Sequence, residues 1–158
     1  MRTRSLVISV ILMSALVLVL AVIAVAADNP FVGTWKMNPA KSKFSGPATK
    51  GFTTKMEAQE NGIKCVQDVV GADGKAFQRI WAAKYDGKDY PVTAPDEDTI
   101  SLIKLNANTT RWLAKKGGKE VASGESVVSK DGKTWILTGG GKDEKGQAFT
   151  YTVFLEKQ

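Results

Sequence analysis

The sequence predicts an all-β domain, an up-and-down antiparallel β-barrel of about 8–10 strands. Beyond residue 27, short runs alternate apolar with polar residues, and helical periodicity is almost absent. Glycine-containing turn signals separate these runs at regular spacing. A long antiparallel meander of this kind is expected to close on itself, because closure pairs the two edge strands that would otherwise stay exposed.

The alternating runs predict ten strands, at residues 31–37, 51–59, 63–70, 75–85, 88–92, 98–105, 109–116, 119–129, 133–139 and 147–156. Four of the turns carry Asp-Gly or Asn-Gly, at positions 61–62, 73–74, 86–87 and 131–132. We expect type I′ hairpin turns there, since these pairs tolerate the positive φ that such turns require. Two longer connections remain. The segment 38–48 predicts an irregular crossing loop with one helical turn after Asn38-Pro39, and 93–98 predicts a loop at the barrel rim.

Alternation also assigns the faces of the strands, because successive side chains of a strand point to opposite sides. In the first strand Phe31, Trp35 and Met37 share one face, and we expect them to close one end of the barrel. The same pattern places a mixed set on one face of strand 75–85: Phe77, Arg79, Trp81, Ala83 and Tyr85. Such a face, with large apolar groups and a few polar ones, suits a barrel interior.

Residues 1–27 have the layout of a secretory signal peptide. Arg2 and Arg4 precede an almost wholly apolar run from Leu6 to Ala26, and the small residues at its end suit cleavage. The run is also long enough to span a bilayer, so an uncleaved membrane anchor is the alternative. In either case we expect residues 28–158 to form a single exported barrel domain, periplasmic or secreted, that meets a membrane only through an uncleaved N-terminal segment.

Composition excludes several kinds of chemistry. The chain has no His, which removes Ser-His-Asp triads, His-ligated metals and His general bases. Cys65 is the single cysteine and lies in an alternating apolar run, so we expect a buried, inert thiol and no internal disulfide. The net charge of +6 comes mostly from scattered Lys, which does not favour nucleic acid as a partner.

Catalytic, cofactor and metal sites are not expected. Asp96, Glu97 and Asp98 are adjacent carboxylates that could bind Ca²⁺, but the EF-hand spacing is absent and a solvated turn is the simpler interpretation. We therefore predict a protein that is not an enzyme.

The first predicted strand, "FVGTWKM", resembles the opening strand of the lipocalin and fatty-acid-binding protein (calycin) superfamily, whose members are up-and-down barrels with a G-x-W motif. The longer strings "GTWKMNPAKSKF", "AKYDGKDYPVT" and "VVSKDGKTW" resemble a group of small exported bacterial proteins of lipocalin-like pattern and unassigned function. This second resemblance covers nearly all of the chain after residue 27. It implies a lipocalin-like barrel and supplies no mechanism.

The chain departs from the superfamily at three places. Lipocalins carry a late Arg that packs across the first-strand Trp, and here Lys157 is the only nearby cation. Fatty-acid-binding proteins have a helix-turn-helix lid, for which the loop after the first strand is too short. They also grip the ligand carboxylate with an Arg-x-Tyr pair, which corresponds to Val153 and Leu155 here. The resemblance therefore does not imply fatty-acid binding by that mechanism.

Five residues are candidates for ligand binding: Arg79, Trp81, Tyr85, Trp112 and Tyr151. If its face is internal, Arg79 needs a partner, since burying an unpaired charge costs several kcal/mol. Glu125 or the acid group of a ligand could serve. The alternative is that Arg79 is exposed, at the rim or on the outer face. The four aromatic residues either line a cavity or fill it.

Two functions remain open at this point. The first is an exported lipocalin-like protein that binds a small, hydrophobic or amphipathic and largely apolar molecule inside the barrel. The alternative is an interaction or structural module of the cell envelope or extracellular space, with a filled barrel and no ligand. Interior volume distinguishes them, since a carrier needs a cavity of a few hundred Å³.

Overall fold

The computed structural model describes residues 29–143 and 145–158, so the predicted signal segment at 1–27 lies outside the described residues. The described part is built of antiparallel strands, with no helix among its residues and hence none that could cross a membrane. The strands are β1 (Gly33–Met37), β2 (Lys43–Phe44), β3 (Gly51–Gln59), β4 (Gly62–Val70), β5 (Ala76–Lys84), β6 (Tyr90–Thr93), β7 (Thr99–Asn106), β8 (Thr109–Lys116), β9 (Lys119–Val128), β10 (Thr134–Lys142) and β11 (Ala148–Lys157).

The strands form one closed barrel. From β3 to β11 each strand pairs with the next, while β1 pairs with β3 on one side and with β11 on the other. Trp35 marks this closure, because it lies opposite both Thr54 of β3 and Lys157 of β11. The ring has ten strands, and β2 is an additional short strand on β11. The predicted all-β, up-and-down antiparallel barrel is therefore confirmed.

The crossing segment between β1 and β3 differs from the prediction. Residues 39–41 form a hydrogen-bonded turn in place of the expected helical turn, and the unpredicted strand β2 follows it. Serine side chains hold this segment on β11: the Oγ atoms of Ser42 and Ser45 accept hydrogen bonds from the backbone N–H groups of Phe154 and Thr150. The chain is thus used to extend the sheet instead of forming a helix.

The type I′ turns expected at the three Asp-Gly pairs are wrong. A type I′ turn needs positive φ at both central residues, and Asn61 is the one non-glycine residue with positive φ among those described. Gly62 after it does not have positive φ, so the type I′ turn expected at Asn61-Gly62 is wrong as well. At Asp73, Asp86 and Asp131 only the following Gly has positive φ. Each Asp Oδ1 accepts a hydrogen bond from the backbone N–H of the Lys two residues later, so the side chain itself stabilises the turn.

One end of the barrel is closed by aromatic residues. Trp35 is 0% exposed and donates its indole N–H to the Phe31 carbonyl at 2.8 Å. Trp135 contacts both Phe31 and Trp35 edge to face, with ring centroids 5.6 and 5.7 Å away. We call Phe31, Trp35 and Trp135 the aromatic plug. Its position agrees with the expectation that Phe31 and Trp35 close one end.

Two further expectations concern Cys65 and Lys157. The single cysteine, Cys65, is buried as predicted, and burial raises the pKa of its thiol to about 12. Lys157 places its Nζ 5.1 Å from the centre of the Trp35 ring. Lys157, at the end of β11, is therefore the cation that lies next to the first-strand Trp.

Candidate functional site

A cavity of about 810 Å³ lies inside the barrel. It extends from the plug residues Phe31 and Trp135 to the opposite rim, where Lys119 and Lys142 line its mouth. The lining is largely apolar, and it includes all five predicted site residues: Arg79, Trp81, Tyr85, Trp112 and Tyr151. The barrel is thus filled at one end and hollow over the rest of its interior.

The interior stays open beside Trp112, because this large side chain lies against strands β9 and β10 of the barrel. Trp112 of β8 is opposite Gly124 of β9, which is opposite Gly139 of β10, which in turn is opposite Tyr151 of β11. A Cβ atom at Gly124 or Gly139 would lie only 2.8 or 2.6 Å from Trp112 Cζ2. The indole therefore occupies space that side chains at these two positions would take, and it lines the interior without filling it.

Three aromatic rings follow one another along this wall. The planes of Trp112 and Tyr151 are 12° apart with centroids separated by 6.3 Å, and those of Tyr151 and Phe149 are 14° apart at 6.2 Å. All three residues line the cavity. We call them the aromatic wall. Burial raises the pKa of Tyr151 well above its ordinary value, so its phenol remains neutral.

Arg79 faces the interior, where it pairs with two carboxylates and one amide of the protein. Its Nη2 donates to both carboxylate oxygens of Asp96, at 3.1 and 2.9 Å, and its Nε lies 2.7 Å from Glu97 Oε1. Its Nη1 donates to Gln67 Oε1 at 3.2 Å, and Gln67 in turn donates to Thr54. We call Arg79, Asp96, Glu97 and Gln67 the Arg79 cluster. It places one positive and two negative charges at the cavity.

The cluster corrects two expectations. Glu125 is not the partner of Arg79, because it lies opposite Arg111 and accepts a hydrogen bond from that residue at 2.9 Å. The stretch Asp96–Asp98 is not a fully solvated turn either. The Asp96 side chain is 59% exposed, but Glu97 is only 8% exposed and lies inside. The interior face assigned to Arg79 by alternation was correct.

The acidic loop turns inward because β6 is short. β5 pairs with β6 at two positions, Ile80↔Thr93 and Trp81↔Val92, which leaves the start of β5 without a ladder partner on that side. The loop 94–98 lies beside this unpaired stretch. Asp98 anchors its far end by donating its N–H to the Lys115 carbonyl and accepting from Gly117 N–H. Arg79 then joins β5 to the loop through ion pairs.

Charges in the cluster influence each other's protonation. Burial raises the pKa of Glu97 above its ordinary value, against the opposing effect of Arg79. Burial by itself lowers the pKa of Arg79, but Glu97 and Asp96 outweigh it and hold that pKa above its ordinary value. Arg79 therefore stays charged, and Glu97 takes up a proton at a higher pH than an ordinary glutamate does.

The candidates Trp81 and Tyr85 lie further along the chain from Arg79. Trp81 is buried in β5, opposite Cys65 of β4. Tyr85 follows β5 near the plug, where its phenolic oxygen accepts a hydrogen bond from Asn29 Nδ2 at 3.0 Å. Sequence reasoning therefore identified cavity-lining residues at several depths. It missed Glu97 and Gln67, whose only signals were an acidic loop after a Pro-containing strand and a Gln on an apolar face.

Metal chemistry has no obvious location in the described residues. Across 29–143 and 145–158, no group of three or more His, Cys, Asp or Glu side chains is arranged to hold a metal ion.

The closed ring and its interior cavity define an up-and-down β-barrel with a cavity of ligand size. No protein-family model matches the sequence, and no curated protein matches it. Among solved structures the chain is similar to apocrustacyanin C2, at 12% identity and a TM-score of 0.44, over 84% of this chain. It spans 63% of the length of that protein. It is also similar to the zebrafish ileal bile acid-binding protein complexed with cholic acid, at 10% identity and a TM-score of 0.36, over 82% of this chain and 99% of that one.

Proposed function

We propose that this protein binds a small, largely apolar molecule in the barrel interior. The observation that supports this proposal is the cavity of about 810 Å³ with its mostly apolar and aromatic lining. Cavities of roughly 300–1,000 Å³ with a few polar groups are typical of small-molecule sites. A barrel that served only as a scaffold would gain stability by filling this space, because an unfilled apolar interior forgoes packing contacts.

The alternative function, an interaction module that binds no ligand, requires a filled interior. The cavity favours the carrier, and the proposal assigns no catalytic step to it. We further propose that the barrel works outside the cytoplasm, since residues 1–27 have the layout of a secretory signal.

Binding can be tested without knowing the natural ligand. Native mass spectrometry of the protein purified from its own host should reveal a recurring small molecule that leaves on denaturation. In parallel, the neutral dye Nile red should bind the emptied protein and gain fluorescence. If neither a co-purified molecule nor dye binding is observed, the carrier function is refuted.

A matched pair of variants locates the binding. Ala122 lines the cavity and is half-buried, whereas Ala148 is exposed on the outer surface. Ala122→Phe should reduce Nile red affinity by roughly tenfold, corresponding to about 1.4 kcal/mol. Ala148→Phe should leave it unchanged. Equal effects of the two substitutions would place the dye outside the barrel.

Export has a separate test. The full chain produced in a bacterial host should yield a mature protein that begins at Asp28, as determined by N-terminal sequencing of the periplasmic fraction. Intact chain in the membrane fraction would indicate an anchor instead, and intact chain in the cytoplasm would contradict export.

A further inference from the structure

We propose that the ligand is a flat, uncharged, conjugated or fused-ring molecule that stacks along the aromatic wall, and that it is not a fatty acid or another anionic chain. This inference rests on the proposed function and adds to it the chemical class of the ligand. It is drawn from the shape of the wall and from the distribution of charge in the cavity.

The rings of the aromatic wall share one orientation. Trp112, Tyr151 and Phe149 have ring planes within 14° of their neighbours and centroids 6.2–6.3 Å apart, so each ring stacks beside the next. Offset-parallel contact between aromatic surfaces is more favourable than the buried area alone provides. A planar molecule can lie parallel to these rings and continue the stack, whereas a flexible chain presents no matching face and loses more conformational entropy on binding.

The backbone makes room for this stack. A Cβ atom at Gly124 or Gly139 would lie within 2.8 Å of Trp112 Cζ2 and within 2.9 Å of backbone atoms of the neighbouring strand, so glycines at both positions let the indole lie against β9 and β10. Tyr151 lies next to Gly139 in the same row, so the indole reaches the phenol ring without an intervening side chain. Two glycines between two aromatic residues thus allow the two rings to stack.

The charges disfavour an anion. Arg79 is the cation inside the cavity, and it is already paired with Asp96 and Glu97. These three side chains together carry an excess of one negative charge. A ligand carboxylate would have to displace one of these acids or lie beside them without a partner, which is costly in a buried site. At the rim, Lys119 and Lys142 are accompanied by Glu120 and Asp143, and Lys116 donates to the Pro95 carbonyl.

Three probes separate shape from charge: 1-pyrenebutanol is flat and neutral, 1-pyrenebutyrate has the same ring system with a carboxylate, and 1-hexadecanol is neutral and flexible. Dissociation constants measured by isothermal titration calorimetry should favour 1-pyrenebutanol over each of the other two by roughly tenfold or more. Equal binding of all three, or tighter binding of 1-pyrenebutyrate or 1-hexadecanol, would overturn the inference while leaving a carrier function in place. If none of the three binds and Nile red does not bind either, the proposed function itself fails.

A variant assigns the preference to the wall. Tyr151→Leu removes the central ring and should reduce the preference for 1-pyrenebutanol over 1-hexadecanol to less than about threefold. Tyr90→Leu is the control, because Tyr90 lies outside the cavity lining. A preference unchanged in Tyr151→Leu would exclude the aromatic wall as its source. Should that variant fail to fold, the ranking of the probes on the wild-type protein still decides the inference.

Discussion

The two ends of the barrel are built from similar residues with opposite results. At the plug, Trp35 and Trp135 meet edge to face and leave almost no exposed surface. Towards the other end, Trp112 and Tyr151 are nearly parallel and line a hollow interior. Aromatic side chains therefore do not determine by themselves whether a barrel is filled. Ring orientation does, and it depends on whether the cross-strand neighbours are bulky residues or glycines.

The first prediction compares stability at the two ends. Trp35→Ala should lower the free energy of unfolding by about 4 kcal/mol, because it removes a fully buried indole and leaves a hole in the plug. Phe149→Ala should cost less than about 1.5 kcal/mol, since Phe149 is only half-buried and already borders the cavity. Urea unfolding followed by circular dichroism measures both. Equal losses would contradict the division into a stabilising end and a hollow end.

The second prediction concerns the Arg79 cluster. Arg79→Met leaves Glu97 buried without its cation, and we expect a loss of about 2 kcal/mol, a value reduced from that of a fully buried pair because the Arg79 side chain is 25% exposed. The double variant Arg79→Met/Glu97→Gln removes the stranded charge and should recover roughly half of this loss. Chemical denaturation of the three proteins measures the effect. If the double variant is less stable than Arg79→Met, the stranded carboxylate is not the cause.

Features that depend on a single strand could be predicted from the sequence. Features that depend on contacts between distant segments could not. The inward face of Arg79 followed from side-chain alternation, which is a property of one strand and needs no knowledge of its neighbours. The partner of Arg79 did not, because Glu97 reaches it only when β6 ends early and the loop folds back. Similarly, β2 is held beside β11 by a hydrogen bond that the backbone N–H of Phe154 donates to Ser42 Oγ, 112 residues away in sequence.

Whether the barrel contains a cavity could not be predicted from the sequence, for the same reason. Whether Trp112 fills or lines the interior depends on its alignment with Gly124 and Gly139, and that register is set by pairing across three strands. For the turns, the position was predictable from the sequence but the conformation was not. Asp-Gly correctly predicted where hairpins occur, but the type was wrong because the Asp side chain satisfies the backbone locally.

The third prediction uses pH to separate buried from exposed carboxylates. Because the pKa of Glu97 is raised in the folded protein, the folded state holds a proton that the unfolded state releases, down to the ordinary value of 4.5. The stabilisation from this proton is thus complete below 4.5 and is lost as the pH rises through the folded-state pKa. Stability of the wild type relative to Glu97→Gln should therefore increase as the pH falls from 7 towards 4.

Exposed acids provide the internal control for that experiment. The Ser129 hydroxyl and the Lys133 backbone N–H lower the pKa of Asp131, so its contribution is lost as the pH falls through its folded-state pKa. It acts equally in both proteins and cancels in the difference. Unfolding free energies of the two proteins should be measured at intervals between pH 4 and 7. A difference that shrinks on acidification would mean that Glu97 titrates as an ordinary paired carboxylate.

The smallest effect is expected back at the plug, where Lys157 covers its outer side. Lys157→Met keeps most of the apolar stem next to Gly33 but removes the charge that lies 5.1 Å from the Trp35 ring centre. The loss should be about 0.5 kcal/mol, the size of an exposed cation–π contact. Lys157→Arg retains a cation and should be neutral within error in the same urea titration. If Lys157→Met costs as much as Trp35→Ala, the outer cation and not the buried aromatic packing holds the plug together, and the contrast between the two ends would need a different physical basis.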